Sequence, residues 1–379
     1  MVTAALTVRH AVGEYPVYVG AGILEGLHVL VQAHAPGRRT AMIADDTVAA
    51  HFRDFVRGTE SAWRAVAATC EGVEGAGWMP LTFPAGEGSK TRATWERLTD
   101  ALLAAGYGRD AAIVALGGGV TGDLAGFVAA TYMRGIPVIQ VPTTLLAMVD
   151  SSVGGKVGVD TPAGKNLVGA FHPPVAVVAD PLTLGTLADR DYRAGLAEVV
   201  KHALVGDEGH FAWLEENAVP VLRRDPDALT QVICRSVELK SAVVAEDERE
   251  TGRRAILNAG HTVAHAIEQA TGYAVRHGEA VALGLVAECR LGEAIGVTAA
   301  GTADRVVALL GQLGLPVELA GCPPVGTLTA AMQVDKKTRS GLPGFAFAAG
   351  PGRMHRQDGD WVSPAPAEAV EEALATIRG

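Results

Sequence analysis

Short apolar runs alternate with amphipathic segments over the first half of the chain. The runs VTAALTVRH, YPVYVG, AMIADD, AAIVALGGG, GIPVIQVP and PVAVVADP have the length and composition of strands. Between them, SKTRATWERLTDALLAAG and GDLAGFVAATYMRG have helical spacing. Because strands that alternate with helices form parallel sheets, this pattern predicts an α/β domain over residues 1–184.

The pattern changes after residue 184. Ala, Leu, Glu and Arg then recur at helical spacing in RDYRAGLAEVVKHALV, GHTVAHAIEQATG and GEAVALGLVAECRLGEAIG, and β-branched runs become rare. We therefore predict an all-α second domain over residues 185–379.

Composition narrows the class of protein. The 379 residues carry a net charge of −10, which disfavours nucleic acid as a partner but allows a small anionic substrate in a local cationic pocket. No apolar run is long enough to span a membrane, since about 18 residues are needed. The N-terminus lacks the pattern of a secretory signal, and the four cysteines form no CxxC pair. These features predict a cytoplasmic protein with reduced thiols.

A glycine loop joins a strand to a helix in the segment IVALGGGVTGDLAG. Gly117, Gly118 and Gly119 allow a ligand to approach the backbone, and the amides that open the next helix suit a pyrophosphate. A tight turn needs the same residues, and the GxGxxG pattern is not met. The strand AMIADD ends in Asp45 and Asp46, where a ribose hydroxyl could bind. AGEGSKT is a second glycine-bearing loop that leads into a helix.

A polar and cationic stretch follows between residues 134 and 166. VDSSVGGKVGVD and TPAGKNLVGAFHPP are predicted as glycine-bearing loops that hold single lysines. Each lysine could simply be solvated, but a lysine in apolar, glycine-rich surroundings suits phosphate or carboxylate recognition. The polar residues of the stretch are Arg134, Thr143, Thr144, Asp150, Lys156, Lys165 and Asn166.

Three segments of the second domain combine histidine with carboxylate side chains, as catalytic zinc sites do. His261 and His265 lie one helical turn apart and share a helix face, although satisfied or surface histidines would show the same spacing. Spacing therefore leaves the ligand set open. The ligand candidates are Glu198 and His202, which share about one helical turn with Lys201, then His261 and His265, then His277 and Glu279.

Long blocks of the sequence resemble the 3-dehydroquinate synthase family of sugar-phosphate cyclases. They include GGGVTGDLAGFVAATYMRG, VPTTLLAMVDSSVGGKVGVDTPAGKNLVGAFHPP, GLAEVVKHAL, LNAGHTVAHAIE, RHGEAV and DKK, over roughly residues 80–340. The resemblance implies a Rossmann-like first domain, a helical second domain and an active site in the cleft between them. It also implies NAD, Zn²⁺ or Co²⁺, a homodimer, and an anionic keto-sugar acid phosphate as substrate. The implied reaction is transient oxidation by NAD, phosphate elimination, re-reduction and aldol ring closure.

The resemblance assigns roles to individual residues. Glu198, His261 and His277 would bind the metal, with His265, Lys201 and Asp150 acting beside it. Lys240 and Arg254 would bind the substrate carboxylate, and Arg134 would reach the neighbouring subunit's site. The phosphate would be bound by Lys156, Asn166, Asn258 and Lys336, although the DKK run does not separate Lys336 from Lys337.

The NAD site is implied in the same way, with one departure. The family usually has Asp where this chain has Ala85, which removes one expected cofactor contact. The implied NAD residues are Asp45, Gly86, Glu87, Lys90, Gly118, Gly119, Val120, Asp123, Thr143, Thr144, Lys156, Lys165, Thr183 and Thr186.

Other functions compete with this one. Metal-dependent polyol dehydrogenases share the architecture, but a neutral polyol needs no lysine-rich segment such as GGKVGVDTPAGKN. Sibling cyclases that use substrates without a carboxylate differ around the positions of Arg254, Asn258 and His265. An amino-dehydroquinate variant would keep that pattern, so the sequence does not separate the two. The intact metal set disfavours an inactive nucleotide-binding module.

Overall fold

The computed structural model describes residues 4–11, 13–55, 57–58, 78–334 and 343–379. The chain divides into two compact units, Met1–Leu187 and Ala188–Gly379. The boundary predicted after residue 184 falls inside the 3-10 segment Pro181–Thr186 and stays a prediction.

A twisted sheet organises the first unit. Within the described residues it has seven strands in the order β1-β2-β9-β6-β5-β3-β4. β1 pairs with β2 antiparallel, and the other neighbours pair parallel, which confirms the predicted α/β fold. The strands are β1 Leu6–His10, β2 Gly13–Val19, β3 Arg39–Asp45, β4 Trp78–Phe83, β5 Ala111–Gly117, β6 Val138–Pro142 and β9 Ala176–Ala179.

Helices cover both faces of this sheet because its central strands are apolar throughout. Every residue of β5 is buried. Its side chains alternate, with Ile113 and Ala115 packed in one core cluster and Val114 and Leu116 in the cluster on the opposite face. The helices are α1 Leu27–His34, α2 Asp46–His51, α3 Arg92–Ala104 and α4 Gly119–Thr131.

An antiparallel hairpin replaces the two loops predicted from the glycine-bearing segments. Its strands are β7 Lys156–Thr161 and β8 Gly164–Phe171. Val157 and Val159 are buried in the core cluster that includes α4, so β7 has the period of a half-buried strand. Glycines favoured a loop in the sequence, but here they permit close strand contact, since a side chain on Gly158 would lie 2.7 Å from the carbonyl oxygen of Val168.

Helices dominate the second unit, as predicted. Short strands occur in addition, β10 Gly344–Phe345 with β13 Ser363–Pro364 and β11 Ala348–Gly350 with β12 Arg353–Met354. Within the described residues, no helix is both long and apolar enough to cross a membrane. The helices are α5 Asp189–Gly206, α6 Glu208–Leu222, α7 Pro226–Glu246, α8 His261–Ala270, α9 His277–Ala294, α10 Thr302–Gln312, α11 Val325–Val334 and α12 Ala367–Ala375.

The start of α8 lies directly against the middle of α9. Gly260, which precedes α8, has a φ of 78°, a left-handed conformation that favours glycine. A side chain added at Gly284 of α9 would overlap the backbone carbonyl of Gly260. The two backbones therefore approach to a distance that only glycine allows at this position of α9.

Substitution of Gly284 should separate these backbones. Gly284→Ala must displace backbone atoms, at a cost of about 2–3 kcal/mol. We expect it to lower the unfolding midpoint by about 5 °C or more in a thermal scan followed by circular dichroism.

Gly311→Ala is the matched control, because a side chain there would have open space among the described residues of α10. Alanine is the better helix former, so this variant should be stabilised by at most about 1 kcal/mol. An equal fall of the unfolding midpoint in the two variants would contradict close packing at Gly284.

Candidate functional site

The second unit brings together the three side chains predicted to bind metal. Glu198 lies in the middle of α5, and His261 and His277 are the first residues of α8 and α9. One potential ligand atom from each lies within 4.8 Å of the others. Glu198 Oε1 is 3.5 Å from Nε2 of each histidine. Two imidazoles and one carboxylate form the donor set of a catalytic zinc site that keeps an open position.

Hydrogen bonds orient both imidazoles toward Glu198. Nδ1 of His261 lies 3.1 Å from the carbonyl oxygen of Ala259, which only accepts, so this nitrogen carries the proton. Nδ1 of His277 lies 3.4 Å from Oε1 of Glu268. The two Nε2 atoms are therefore directed at the ligand position, in the pattern by which outer carboxylates and carbonyls orient metal-bound histidines. The donor set and its orientation fit a divalent metal ion.

Electrostatics also favours a cation at this position. Burial opposes protonation of His277, but hydrogen bonds to Glu198 and Glu268 outweigh it and raise the pKa of His277 to about 10. Two carboxylates thus create a local field that stabilises positive charge. A divalent cation would meet this requirement and displace the proton, because metal ligation uses neutral imidazole.

His265 lies beside this group. Its ring is perpendicular to that of His261, with centroids 5.5 Å apart, one turn further along α8. Among the described residues, the metal-binding group takes its second imidazole from His277 and not from His265. Lys201 forms a buried ion pair with Glu198 one turn along α5. The roles of His265 and Lys201 stay predictions.

Glu279 and His202, the other candidates left open by spacing, lie outside the group of Glu198, His261 and His277, although a ring nitrogen of His202 lies within 4.8 Å of a carboxylate oxygen of Glu198. Both carboxylate oxygens of Glu279 accept hydrogen bonds from Arg190, at 2.7 and 2.8 Å, and Glu279 also accepts from the backbone amide of Arg276. The bonds to Arg190 lower the pKa of the Glu279 carboxyl. Glu279 caps the first turn of α9 as part of a capping box. His202 is fully buried in α5.

Two further cations predicted for substrate binding are buried in the second unit. Lys240 on α7 and Arg254 in the 3-10 segment Arg253–Asn258 are 6% and 4% exposed. The Arg254 guanidinium donates to the carbonyl oxygen of Glu248 at 2.5 Å. Asn258 donates to Glu250 at 2.8 Å. Lys336 and its alternative Lys337 lie outside the described residues.

In the first unit, part of the predicted nucleotide set lies at the carboxyl ends of β3, β5 and β6, namely Asp45, Gly118, Gly119, Val120, Asp123, Thr143 and Thr144. The chain proceeds from β3 to β4 on one side and from β5 to β6 on the other, so the sheet order reverses between β3 and β5. Open α/β sheets bind ligands at such a switch point. Gly117 accepts from the amide of Thr143 at 2.9 Å, and Thr121 donates to Asp45 at 3.5 Å. The helix after the glycine loop, α4, begins at Gly119.

Lys90 joins the second glycine-bearing loop to the hairpin. Its ammonium group donates to Asp123 at 2.6 Å and to the side-chain oxygen of Asn166 at 2.5 Å. Asn166 has a φ of 56°, and its backbone amide donates to Asp160 at 2.8 Å. Because an ammonium group only donates, it holds the amide oxygen of Asn166 and leaves the NH₂ group directed away, where it suits a phosphate oxygen. Nζ of Lys165, on the hairpin, lies 3.7 Å from Oε1 of Glu87, which belongs to the same glycine-bearing loop as Lys90.

The remaining predicted residues of the first unit take these places. Gly86 and Glu87 belong to the loop before α3, and Gly118 and Val120 flank the start of α4. Thr144 follows β6, and Thr183 and Thr186 lie in the segment Pro181–Thr186. Asp150 lies in the π-helical turn Ala147–Ser151, Lys156 begins β7, and Arg134 is exposed with a φ of 69°.

Sequence reasoning missed two acidic residues around the histidines. Glu268 lies two turns after His261 on α8, so helical spacing could have indicated it. Glu288 lies on α9, and its carboxylate accepts hydrogen bonds from the start of α8. No local pattern connects two such distant segments of the sequence.

Comparison with known proteins gives the same family over both units. The model of the 3-dehydroquinate synthase N-terminal region matches residues 80–194, and that of the C-terminal region matches residues 195–338. A 3-dehydroquinate synthase of Acidithiobacillus ferrooxidans is 46% identical over 89% of this chain and 90% of its own length. One of Geobacter metallireducens is 47% identical over 88% of this chain and 90% of its own.

Solved structures of related cyclases share the fold over nearly the whole chain. A 2-deoxy-scyllo-inosose synthase with carbaglucose-6-phosphate, NAD⁺ and Co²⁺ has a TM-score of 0.85 at 25% identity, over 98% of this chain and 99% of that one. The 2-epi-5-epi-valiolone synthase of Streptomyces hygroscopicus, with NAD⁺ and Zn²⁺, has a TM-score of 0.81 at 30% identity, over 98% of both chains. With both family models matched and identities of 46% and 47% to curated members, this chain belongs to the 3-dehydroquinate synthase family.

Proposed function

We propose that this chain converts 3-deoxy-D-arabino-heptulosonate 7-phosphate to 3-dehydroquinate and phosphate. The observation that carries the proposal is the grouping of Glu198, His261 and His277 in a chain that belongs to this family. Identities of 46% and 47% to 3-dehydroquinate synthases, against 25% and 30% to the two cyclitol-forming cyclases, favour this reaction among those of the related cyclases.

The proposed cofactors are NAD and Zn²⁺, with Co²⁺ as an alternative metal. Solved relatives contain NAD⁺ together with Zn²⁺ or Co²⁺. Glu198, His261 and His277 would hold the metal, which when bound lowers the pKa of a coordinated hydroxyl group. The residues predicted for NAD, part of which lie at the carboxyl ends of β3, β5 and β6, would hold NAD, and NAD would supply the acceptance and return of a hydride.

The reaction proposed from these parts regenerates NAD in each turnover. Oxidation of one substrate carbon acidifies the neighbouring C–H bond, so phosphate can leave by elimination. After re-reduction the ring opens, and an intramolecular aldol step closes the carbocycle. His265 and Lys201 would hydrogen-bond the substrate and transfer protons beside the metal, since both side chains adjoin the ligand group. Asp150 would act as an orienting carboxylate.

The two anionic ends of the substrate would bind to separate cations. Lys240 and Arg254 are buried, and charges in such surroundings interact strongly with an anion, here the proposed carboxylate. Lys156, Asn166, Asn258 and Lys336 are proposed for the phosphate. Asn166 has its amide oxygen held by Lys90, which suits its NH₂ group to a phosphate oxygen.

A homodimer and a cytoplasmic location are further parts of the proposal. Arg134 is exposed, as a residue that reaches a neighbouring subunit's site would be before assembly. Leu167, Val168 and Phe171 on β8 expose large apolar side chains, which a partner subunit could cover. Cys234, Cys289 and Cys322 are free thiols, as is usual in a reducing compartment.

Asp247 holds the segment that carries Arg254. Its carboxylate accepts hydrogen bonds from the backbone amides of Thr251, Gly252 and Arg254, at 2.9, 2.7 and 2.9 Å. Burial opposes ionisation of Asp247, but these amides outweigh it and lower the pKa of Asp247 to about 2. The ionised carboxylate therefore stabilises the fold of this segment.

Phosphate release tests the overall reaction. Purified protein given the heptulosonate phosphate should release phosphate without accumulating NADH, because the hydride returns to the product. A metal chelator should abolish phosphate release, and added Zn²⁺ should restore it. Glucose 6-phosphate, which has no carboxylate, is the control substrate. Its turnover would assign a sibling cyclase activity, and steady accumulation of NADH would assign a dehydrogenase.

The two neighbouring histidines of α8 should differ in what they support. His261→Ala removes a proposed ligand and should leave little bound zinc after dialysis. His265→Ala should keep the zinc and lose activity by about 100-fold or more, as expected for loss of a proton-transfer group. Zinc content by mass spectrometry and phosphate release measure the two effects. Equal loss of zinc in both variants would overturn the ligand assignment.

Asp247→Asn should remove a pH-dependent part of the stability. A carboxylate with a lowered pKa stabilises the fold above its unfolded pKa of about 4, and this contribution is lost as pH falls toward about 2. The advantage of the unsubstituted protein over Asp247→Asn should be about 1 kcal/mol at neutral pH, allowing for solvent screening, and should vanish near pH 2. Denaturant unfolding across this range measures it. A pH-independent difference for Asp247→Asn would contradict the assignment.

A further inference from the structure

A buried glutamate on α9 forms hydrogen bonds to the start of α8. Glu288 is 4% exposed. Its Oε2 accepts from the amide of Gly260 at 2.7 Å, and its Oε1 accepts from the amides of Thr262 and Val263 at 3.2 and 3.3 Å. One carboxylate therefore bonds three backbone amides around the first turn of the helix that begins with His261.

We propose that Glu288 is a positioning residue of the metal centre, which fixes the imidazoles of His261 and His265 relative to His277. The proposal rests on the proposed function, because it assigns Glu288 a role in metal binding. No sequence motif points to this residue, and its carboxylate accepts hydrogen bonds from the backbone amides of Gly260, Thr262 and Val263.

The start of α8 needs a cap from outside its own chain segment. The first amides of a helix have no partner within the helix, and their dipoles favour an anion. Gly260 stands at the capping position and has no side chain with which to supply one. Glu288 provides the missing acceptor. In turn, three amides and the positive end of the helix compensate the cost of burying its charge.

The hydrogen bonds accepted by Glu288 lie on both sides of His261, the first proposed metal ligand. Gly260 and Thr262, whose amides Glu288 binds, are the residues on either side of His261. The backbone at His261 is thus fixed from both sides, while Ala259 fixes the tautomer of its ring. Metal sites depend on such support, because a ligand displaced by about 1 Å binds the ion poorly.

One face of α9 carries the second proposed metal ligand, the glycine that contacts the start of α8 and the glutamate that caps α8. His277, Gly284 and Glu288 are spaced by seven and four residues, so they lie along one side of this helix. Gly284 packs against the backbone of Gly260, and Glu288 bonds the amide of Gly260. Because one rigid helix holds both His277 and the start of α8, the separation of the two imidazoles is set by this face.

A merely structural cap would also explain the hydrogen bonds, and the chain provides a control for that explanation. Glu293, further along α9, accepts from the amide of Ala303 at 2.9 Å, in the first turn of α10. This is the same kind of interaction, from the same helix to the start of another helix, with one amide bonded where Glu288 bonds three. α10 carries no residue proposed for the metal or substrate, so loss of the cap alone can be measured there.

The test compares Glu288→Gln with Glu293→Gln in the full chain. Both variants should be less stable to heat, and Glu288→Gln should lose more stability because its carboxylate bonds three amides and that of Glu293 bonds one. Only Glu288→Gln should weaken zinc binding, by about 10- to 100-fold in competition with a chromophoric chelator, as is usual for loss of outer-sphere support. Glu293→Gln should stay within about twofold of the unsubstituted protein. The absorption spectrum of the Co²⁺-loaded protein should change in Glu288→Gln only.

Equal zinc affinities for the two variants, with an unchanged Co²⁺ spectrum, would overturn the role of Glu288 while leaving the proposed function standing. An unsubstituted protein that binds no zinc would overturn both. If Glu288→Gln does not fold, Glu288→Asp keeps the charge and shortens its reach. A loss of zinc affinity in that variant supports the proposal, and an affinity equal to that of the unsubstituted protein overturns it.

Discussion

The meeting of α8 with α9 is the contact on which the candidate metal centre depends. His261 begins one helix and His277 begins the other, so their separation follows from how the two helices pack. Gly284 lets the backbones approach, and Glu288 holds the first turn of α8 in place. Glu198 completes the group from α5. The sequence supplies three suitable side chains, but the packing of these helices brings them together as a candidate site.

Local charge in this protein differs from its net charge. The chain carries −10 overall, yet Lys240 and Arg254 are buried cations in the second unit. Around the candidate metal ligands the local charge is instead negative. There Glu198 and Glu268 raise the pKa of His277 to about 10, against the effect of burial. The second unit thus contains both a position that favours a cation and buried cations that attract anions, as the proposed metal ion and the proposed anionic substrate would require.

The periodic pattern of apolar residues predicted the strands and helices of this protein better than it predicted the turns or the contacts between distant segments. The apolar run of β5 indicated a strand, and the structure buries that strand on both faces, as a run without polar positions requires. The hairpin of β7 and β8 was missed, since its glycines resemble those of loops and only the burial of Val157 and Val159 reveals the strand period. Spacing could not choose between His265 and His277, and Glu288 has no local signal. Such choices depend on contacts between segments far apart in the sequence.

Both units use a buried charge to fix a residue that belongs to another element. In the second unit, the carboxylate of Glu288 fixes the backbone beside His261. In the first unit, the ammonium group of Lys90 fixes the amide of Asn166 and also bonds Asp123 of α4. Lys90 and Asp123 are proposed for NAD and Asn166 for the substrate phosphate, so one buried cation joins the two proposed binding regions. Since an ammonium group can donate but not accept, the orientation of Asn166 follows from the position of Lys90, and any movement of the loop that carries Lys90 would alter the group offered to phosphate.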